Sequence, residues 1–135
     1  MMRFIPTRVH AVLDYVTAGV LIAAPAMLGL RKNGMQTWLP MALGVGTIGY
    51  SVFTDYELGL CKIIPMPMHL TLDAANGALL AASPWLFGFA EEVSAPHLGL
   101  GLFEILVTAS SQMTPARAVA PSPDSPSRAE DRLRQ

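Results

Sequence analysis

His10 and Asp14 lie four residues apart, and so do His69 and Asp73. On a helix that spacing sets both side chains of a pair on one face, about one turn apart. Imidazoles and carboxylates so placed could do three kinds of chemistry. The two pairs could hold a divalent metal, because His nitrogen and carboxylate oxygen suit several transition ions. The two imidazoles could ligate a haem iron from opposite helices. Or the His and Asp side chains, extended by Glu104, could relay protons or cations. A fourth reading needs no ligand: a His–Asp hydrogen-bond network that ties the first helix of each pair to its neighbours.

The pairs recur because the chain repeats. Residues 5–30 align with residues 64–89, 59 positions later, with nine identities over 26 positions. They include Ile5/Ile64, Pro6/Pro65, His10/His69, Asp14/Asp73, Pro25/Pro84 and Gly29/Gly88. An internal repeat decides the architecture and must be settled before any other reading. Each copy holds two apolar stretches, so both copies enter from the same side and the repeat is parallel rather than inverted. If the copies pack about a pseudo-two-fold axis along the membrane normal, the two His/Asp pairs face each other at equal depth. At this offset Glu104 aligns with Val45 and has no counterpart. Lying near the middle of a span, it is expected to face the bundle, towards Thr47 or Tyr50.

The elements that must position these groups are membrane helices. The chain is 52% hydrophobic and 14% charged, against about 25% charge in soluble domains. Four apolar runs, 11–30, 36–53, 69–89 and 97–113, approach the roughly 20 residues that cross a bilayer. A secretory-signal reading of Arg3, Arg8 and Ala24-Pro25-Ala26 is opposed by Asp14 within the apolar stretch, and by the same pattern at 69–89. Arg3, Arg8, Lys62, Arg117, Arg128, Arg132 and Arg134 fall on one side, Arg31 and Lys32 on the other. Lys/Arg excess marks the cytoplasmic face, and Trp38 and Trp85 then both fall at the outer interface.

The expected fold is all-α, a four-transmembrane-helix bundle built from two tandem two-helix repeats. The membrane domain spans 1–113, with repeat one at 5–53 and repeat two at 64–113. Residues 114–135, rich in Pro and charge, read as a disordered cytoplasmic tail. The protein is expected in the plasma membrane, multi-pass, with both termini cytoplasmic.

Other features read structurally. Gly44-Val45-Gly46-Thr47-Ile48-Gly49 matches GxGxxG but has no strand before it, so its glycines are expected to pack helices. Gly19, Ala23, Ala74, Ala78 and Ala82 are assigned the same role. Pro25 and Pro84 each remove a backbone donor, and Ser83 could partly satisfy the carbonyl freed in the second copy. The loop 54–67 is expected to lie along the cytoplasmic interface. His97 is read as an interfacial residue. Cys61, the single cysteine, excludes an intrachain disulfide and a Cys-based zinc site, and reads as a buried or interfacial thiol. A net charge of −1 argues against a nucleic-acid partner. No nucleophile–base constellation or phosphate loop is present.

Ser83-Pro84-Trp85, within Asp73-Ala74-Ala75-Asn76-Gly77 and the residues that follow, resembles the SPW-repeat family of small bacterial and archaeal membrane proteins. The resemblance implies that the motif lies in the first of two transmembrane helices per repeat, and residues 5–113 fit two repeats. The first copy departs from it, since Ala24-Pro25-Ala26 keeps only Pro25. The family supplies no catalytic residue to carry over. The expected function is a non-enzymatic membrane scaffold or accessory subunit with no cofactor or metal assigned. Its partners are the lipid bilayer and a second copy or another membrane protein. The alternative is an ion, proton or haem binder or carrier using His10, Asp14, His69 and Asp73.

Overall fold

The computed structural model describes residues 3–30 and 33–115. Their helices are α1 (Thr7–Met27), α2 (Met35–Val52), α3 (Met66–Leu86) and α4 (Ala95–Ser110). The protein is all-α, with α1 packed on α2, α3 on α4, and a lesser contact between α2 and α3. The expected tail beyond Pro115 lies outside the described residues. By length and composition α1 is the one described helix that qualifies to cross a membrane, and α4 is apolar but shorter.

The first helix of each repeat starts and stops by the same rules. Pro6 and Pro65 hold the extended entry before α1 and α3. Gly29 and Gly88 end them at φ 64° and 73°, a conformation that only glycine adopts without penalty. Leu30 N–H then donates back to Pro25 O at 3.0 Å, and Phe89 N–H to Pro84 O at 2.8 Å, which satisfies carbonyls left open at the helix end.

Three prolines lie inside helices, and each leaves the carbonyl four residues earlier without its backbone donor. Ser83 Oγ donates to Leu80 O at 2.7 Å and so serves the carbonyl that Pro84 cannot reach. For Pro40 the donor comes from another helix: His97 Nε2 donates to Gln36 O at 3.0 Å. His97 is therefore an inward-facing residue, 3% exposed and stacked at 5.0 Å on Phe89, not the interfacial one expected. Ala24, which precedes Pro25, has no hydroxyl to offer Leu21 O.

Close helix contact rests on fewer small residues than expected. A Cβ on Gly44 would lie 2.7 Å from Ala18 O and 2.9 Å from Ile22 Cγ1. A Cβ on Gly101 would lie 2.5 Å from both Gly77 O and Ala81 N. Gly19, Gly46 and Gly49 have open space around them, and Ala23, Ala78 and Ala82 are exposed. The reason is rotational. Asp14 and Asp73 turn inward, so the helix positions four and seven or eight residues later (Ala18 and Leu21; Gly77, Leu80 and Ala81) form the contact face. The second helices therefore match at an offset of 57, Gly44 to Gly101, rather than 59. This pairs Glu104 with Thr47, not with Val45.

The repeats are also closed crosswise by short extended segments. Ile5 N donates to Ser110 O at 3.0 Å and Gln112 N to Ile5 O at 2.9 Å; likewise Ile64 N donates to Phe53 O at 2.8 Å and Asp55 N to Ile64 O at 2.8 Å. The entry of each repeat thus pairs with the exit of the other. The 53–65 loop does not simply lie on a surface: Thr54 and Tyr56 are fully buried, and Thr7 Oγ1 donates to Glu57 Oε1 at 2.8 Å. Cys61 is exposed rather than buried.

Gly101→Ala should destabilise the purified protein by about 2 kcal/mol, since overpacking against backbone cannot be relieved by a rotamer change. Gly46→Ala, with open space, should be neutral or slightly stabilising. Thermal unfolding of the two variants checks the contrast.

Candidate functional site

Each His/Asp pair sits one to two turns into its helix, where the Pro-led entry aims it at the other repeat. His10 Nε2 lies 3.0 Å from Asp73 Oδ2 and 3.3 Å from Asp14 Oδ1. His69 Nε2 lies 2.9 Å from Asp14 Oδ2 and 3.2 Å from Asp73 Oδ2. All four residues are buried, and one ligand atom from each lies within 4.8 Å of the others. The imidazole rings meet edge to face, 5.3 Å between centroids.

The outer ring nitrogens are held by hydroxyls placed symmetrically. Thr54 Oγ1 donates to Tyr50 O at 2.7 Å and lies 2.8 Å from His69 Nδ1. Ser111 Oγ donates to Val107 O at 2.7 Å and lies 2.8 Å from His10 Nδ1. Each hydroxyl has one hydrogen and spends it on a carbonyl in the last turn of the helix it follows. The ring Nδ1–H must therefore be the donor, and Nε2 is the atom turned to the carboxylates. Thr54 and Ser111 were not singled out from the sequence. They share one position once the second helices are aligned at 57, and that alignment was the available signal.

The two halves then diverge. Tyr50 OH donates to Asp73 Oδ1 at 2.7 Å and receives from Asn76 Nδ2 at 3.1 Å. Its counterpart in α4 is Val107. On that side a cavity of about 10 Å³ remains, lined by His10, Asp14, Thr47, Asp73, Glu104 and Thr108 among others, which is the room one water needs. Glu104 is 7% exposed, and its Oε2 has no hydrogen-bond partner. Tyr56 OH, from the loop, donates to Asp14 Oδ2 at 3.1 Å. Burial, and next the Asp14 charge, push the Tyr56 phenol well above the usual tyrosine range, so it stays a donor. A haem between the rings does not fit: carboxylate oxygens hold the space beside both Nε2 atoms, and the adjoining cavity is far smaller than a porphyrin.

The motif residues lie elsewhere. Ser83, Pro84 and Pro25 are buried, but eleven residues, about 16 Å of helix rise, separate Pro25 from Asp14 and Pro84 from Asp73. Trp85 is 60% exposed and faces outward.

Fold and cluster define a four-helix protein of two tandem hairpins locked by a shared, buried His/Asp tetrad. A family model for the SPW repeat domain matches residues 8–111, and the chain belongs to that family. No curated protein and no solved structure matches it.

Thr54→Val and Ser111→Ala should each destabilise by about 1–3 kcal/mol, the cost of a buried donor left unpaired, and by similar amounts because their roles are equivalent. Ala24→Ser should stabilise the first repeat by about 0.5–1.5 kcal/mol by serving Leu21 O. Denaturant midpoints measure all three.

Proposed function

We propose that the chain is a multi-pass plasma-membrane protein, all four helices in the bilayer and both termini cytoplasmic, acting as a non-catalytic scaffold or accessory subunit. The observation that carries this is the inverted polarity of the fold. Among the described buried residues seventeen are polar or charged and nine hydrophobic, the reverse of a water-soluble core. The outer faces carry the apolar side chains: Val9, Val12, Val16 and Val20 on α1, Val45 and Ile48 on α2, Leu98, Leu102 and Leu106 on α4. Hydropathy averaged round a whole helix understates such a face, because in α3 His69 and Asp73 turn inward. Trp38 and Trp85, 54% and 60% exposed, suit an outer aromatic belt.

The non-catalytic reading is supported by the site itself. Its ionisable groups face one another, and a space of about 10 Å³ admits no organic substrate. Association with a second copy or another membrane protein would use α2, where Gly46 and Gly49 leave room for close approach.

Cys61 gives a direct test, as the single, exposed thiol in the loop between the repeats. A membrane-impermeant maleimide should label it in inside-out vesicles and leave it unlabelled in intact cells, and alkaline carbonate should leave the chain in the membrane pellet. Release by carbonate, or labelling from outside, would refute the topology.

A further inference from the structure

We infer that His10, Asp14, His69 and Asp73 form a binding site for one divalent first-row transition cation. Donor atoms around an ion with bonds of about 2.0–2.2 Å stand roughly 3 Å apart when adjacent and up to about 4.4 Å when opposite. Here each Nε2 stands 2.9–3.3 Å from an oxygen of both carboxylates, Asp14 turning Oδ1 to His10 and Oδ2 to His69. One ligand atom from each residue lies within 4.8 Å of the others, a spread that must contract slightly around an ion. Calcium, which prefers six to eight oxygens at about 2.3–2.6 Å, does not match a donor set that is half imidazole nitrogen. Two imidazoles with two carboxylates suit a zinc-like ion.

Three further observations point the same way. Both rings have Nδ1 committed to a hydroxyl that is itself anchored on a backbone carbonyl, the outer support that metal-bound histidines have and that orients Nε2 towards the ion. Two neutral imidazoles, two carboxylates and a divalent cation sum to zero charge, which burial demands. And Glu104 Oε2, buried and without a partner, lines the small cavity that His10, Asp14 and Asp73 also line, a polar atom that no protein group satisfies. The inference goes beyond the scaffold reading, because a tetrad without an ion still joins the two repeats through His–Asp pairs.

The test uses the full chain in detergent micelles, stripped with a chelator and titrated with Co²⁺ as a coloured substitute for Zn²⁺. One Co²⁺ per chain, with visible ligand-field absorption displaced by one equivalent of Zn²⁺ and unmoved by excess Ca²⁺, is the expected result. His69→Ala and Asp73→Asn should abolish the absorption. Thr54→Val keeps every ligand atom and should weaken binding by about 10–100-fold, which guards against a ligand variant that merely misfolds. Failure of the folded wild-type chain to take up Co²⁺ or Zn²⁺, or binding that survives His69→Ala and Asp73→Asn, would overturn the site while leaving the membrane topology untouched.

Discussion

Two imidazoles and two carboxylates share one buried space, and each ring is nearer the carboxylate of the other repeat than its own. His10 Nε2 is 3.0 Å from Asp73 and 3.3 Å from Asp14; His69 Nε2 is 2.9 Å from Asp14 and 3.2 Å from Asp73. A single hairpin would hold its His and Asp on an open face with only the longer contact of 3.2–3.3 Å within the repeat. The second hairpin supplies the shorter contacts, and only in one register. A slip of one residue along either helix turns the carboxylate away from the facing ring. The crosswise pairing of Ile5 with Ser110 and Gln112, and of Ile64 with Phe53 and Asp55, repeats the same exchange at the helix ends, so both levels of structure demand both copies.

A second constraint acts at the far end of the helices. Buried away from water, a carbonyl that proline has deprived of its donor must find another. Ser83 answers for Pro84 from the adjacent position, which gives the Ser-Pro part of the motif a physical meaning. His97 answers for Pro40 from a neighbouring helix and so couples α4 to α2. The first copy carries Ala24 where the second has Ser83. The two copies have thus diverged in how they settle a shared problem while keeping the proline, the glycine stop and the His/Asp pair.

Much of this was readable in the sequence. The repeat, the four helices and the facing His/Asp pairs follow from spacing alone, because i and i+4 share a helix face and equivalent residues share a depth. What was hidden depended on loop length and rotation. Gly88 to Gly101 is 13 positions where Gly29 to Gly44 is 15, so a uniform offset of 59 concealed the equivalences Gly44/Gly101, Thr47/Glu104 and Thr54/Ser111. Small residues mark every face of these helices, and only the inward turn of Asp14 and Asp73 selects Ala18, Gly77 and Ala81 for contact. Tyr56 was hidden for another reason: a loop residue shows no period, and nothing local says that its hydroxyl reaches Asp14.

Coupling between His10 and Asp73, 63 positions apart, measures the cross-repeat lock most directly. His10→Ala, Asp73→Asn and the double variant would be unfolded by denaturant in detergent micelles and compared with the parent chain. If the rings and carboxylates hold the repeats together, the double variant loses less than the sum of the single losses, by about 1–3 kcal/mol. Strict additivity would mean that the two residues do not interact, and that the repeats are held by other contacts.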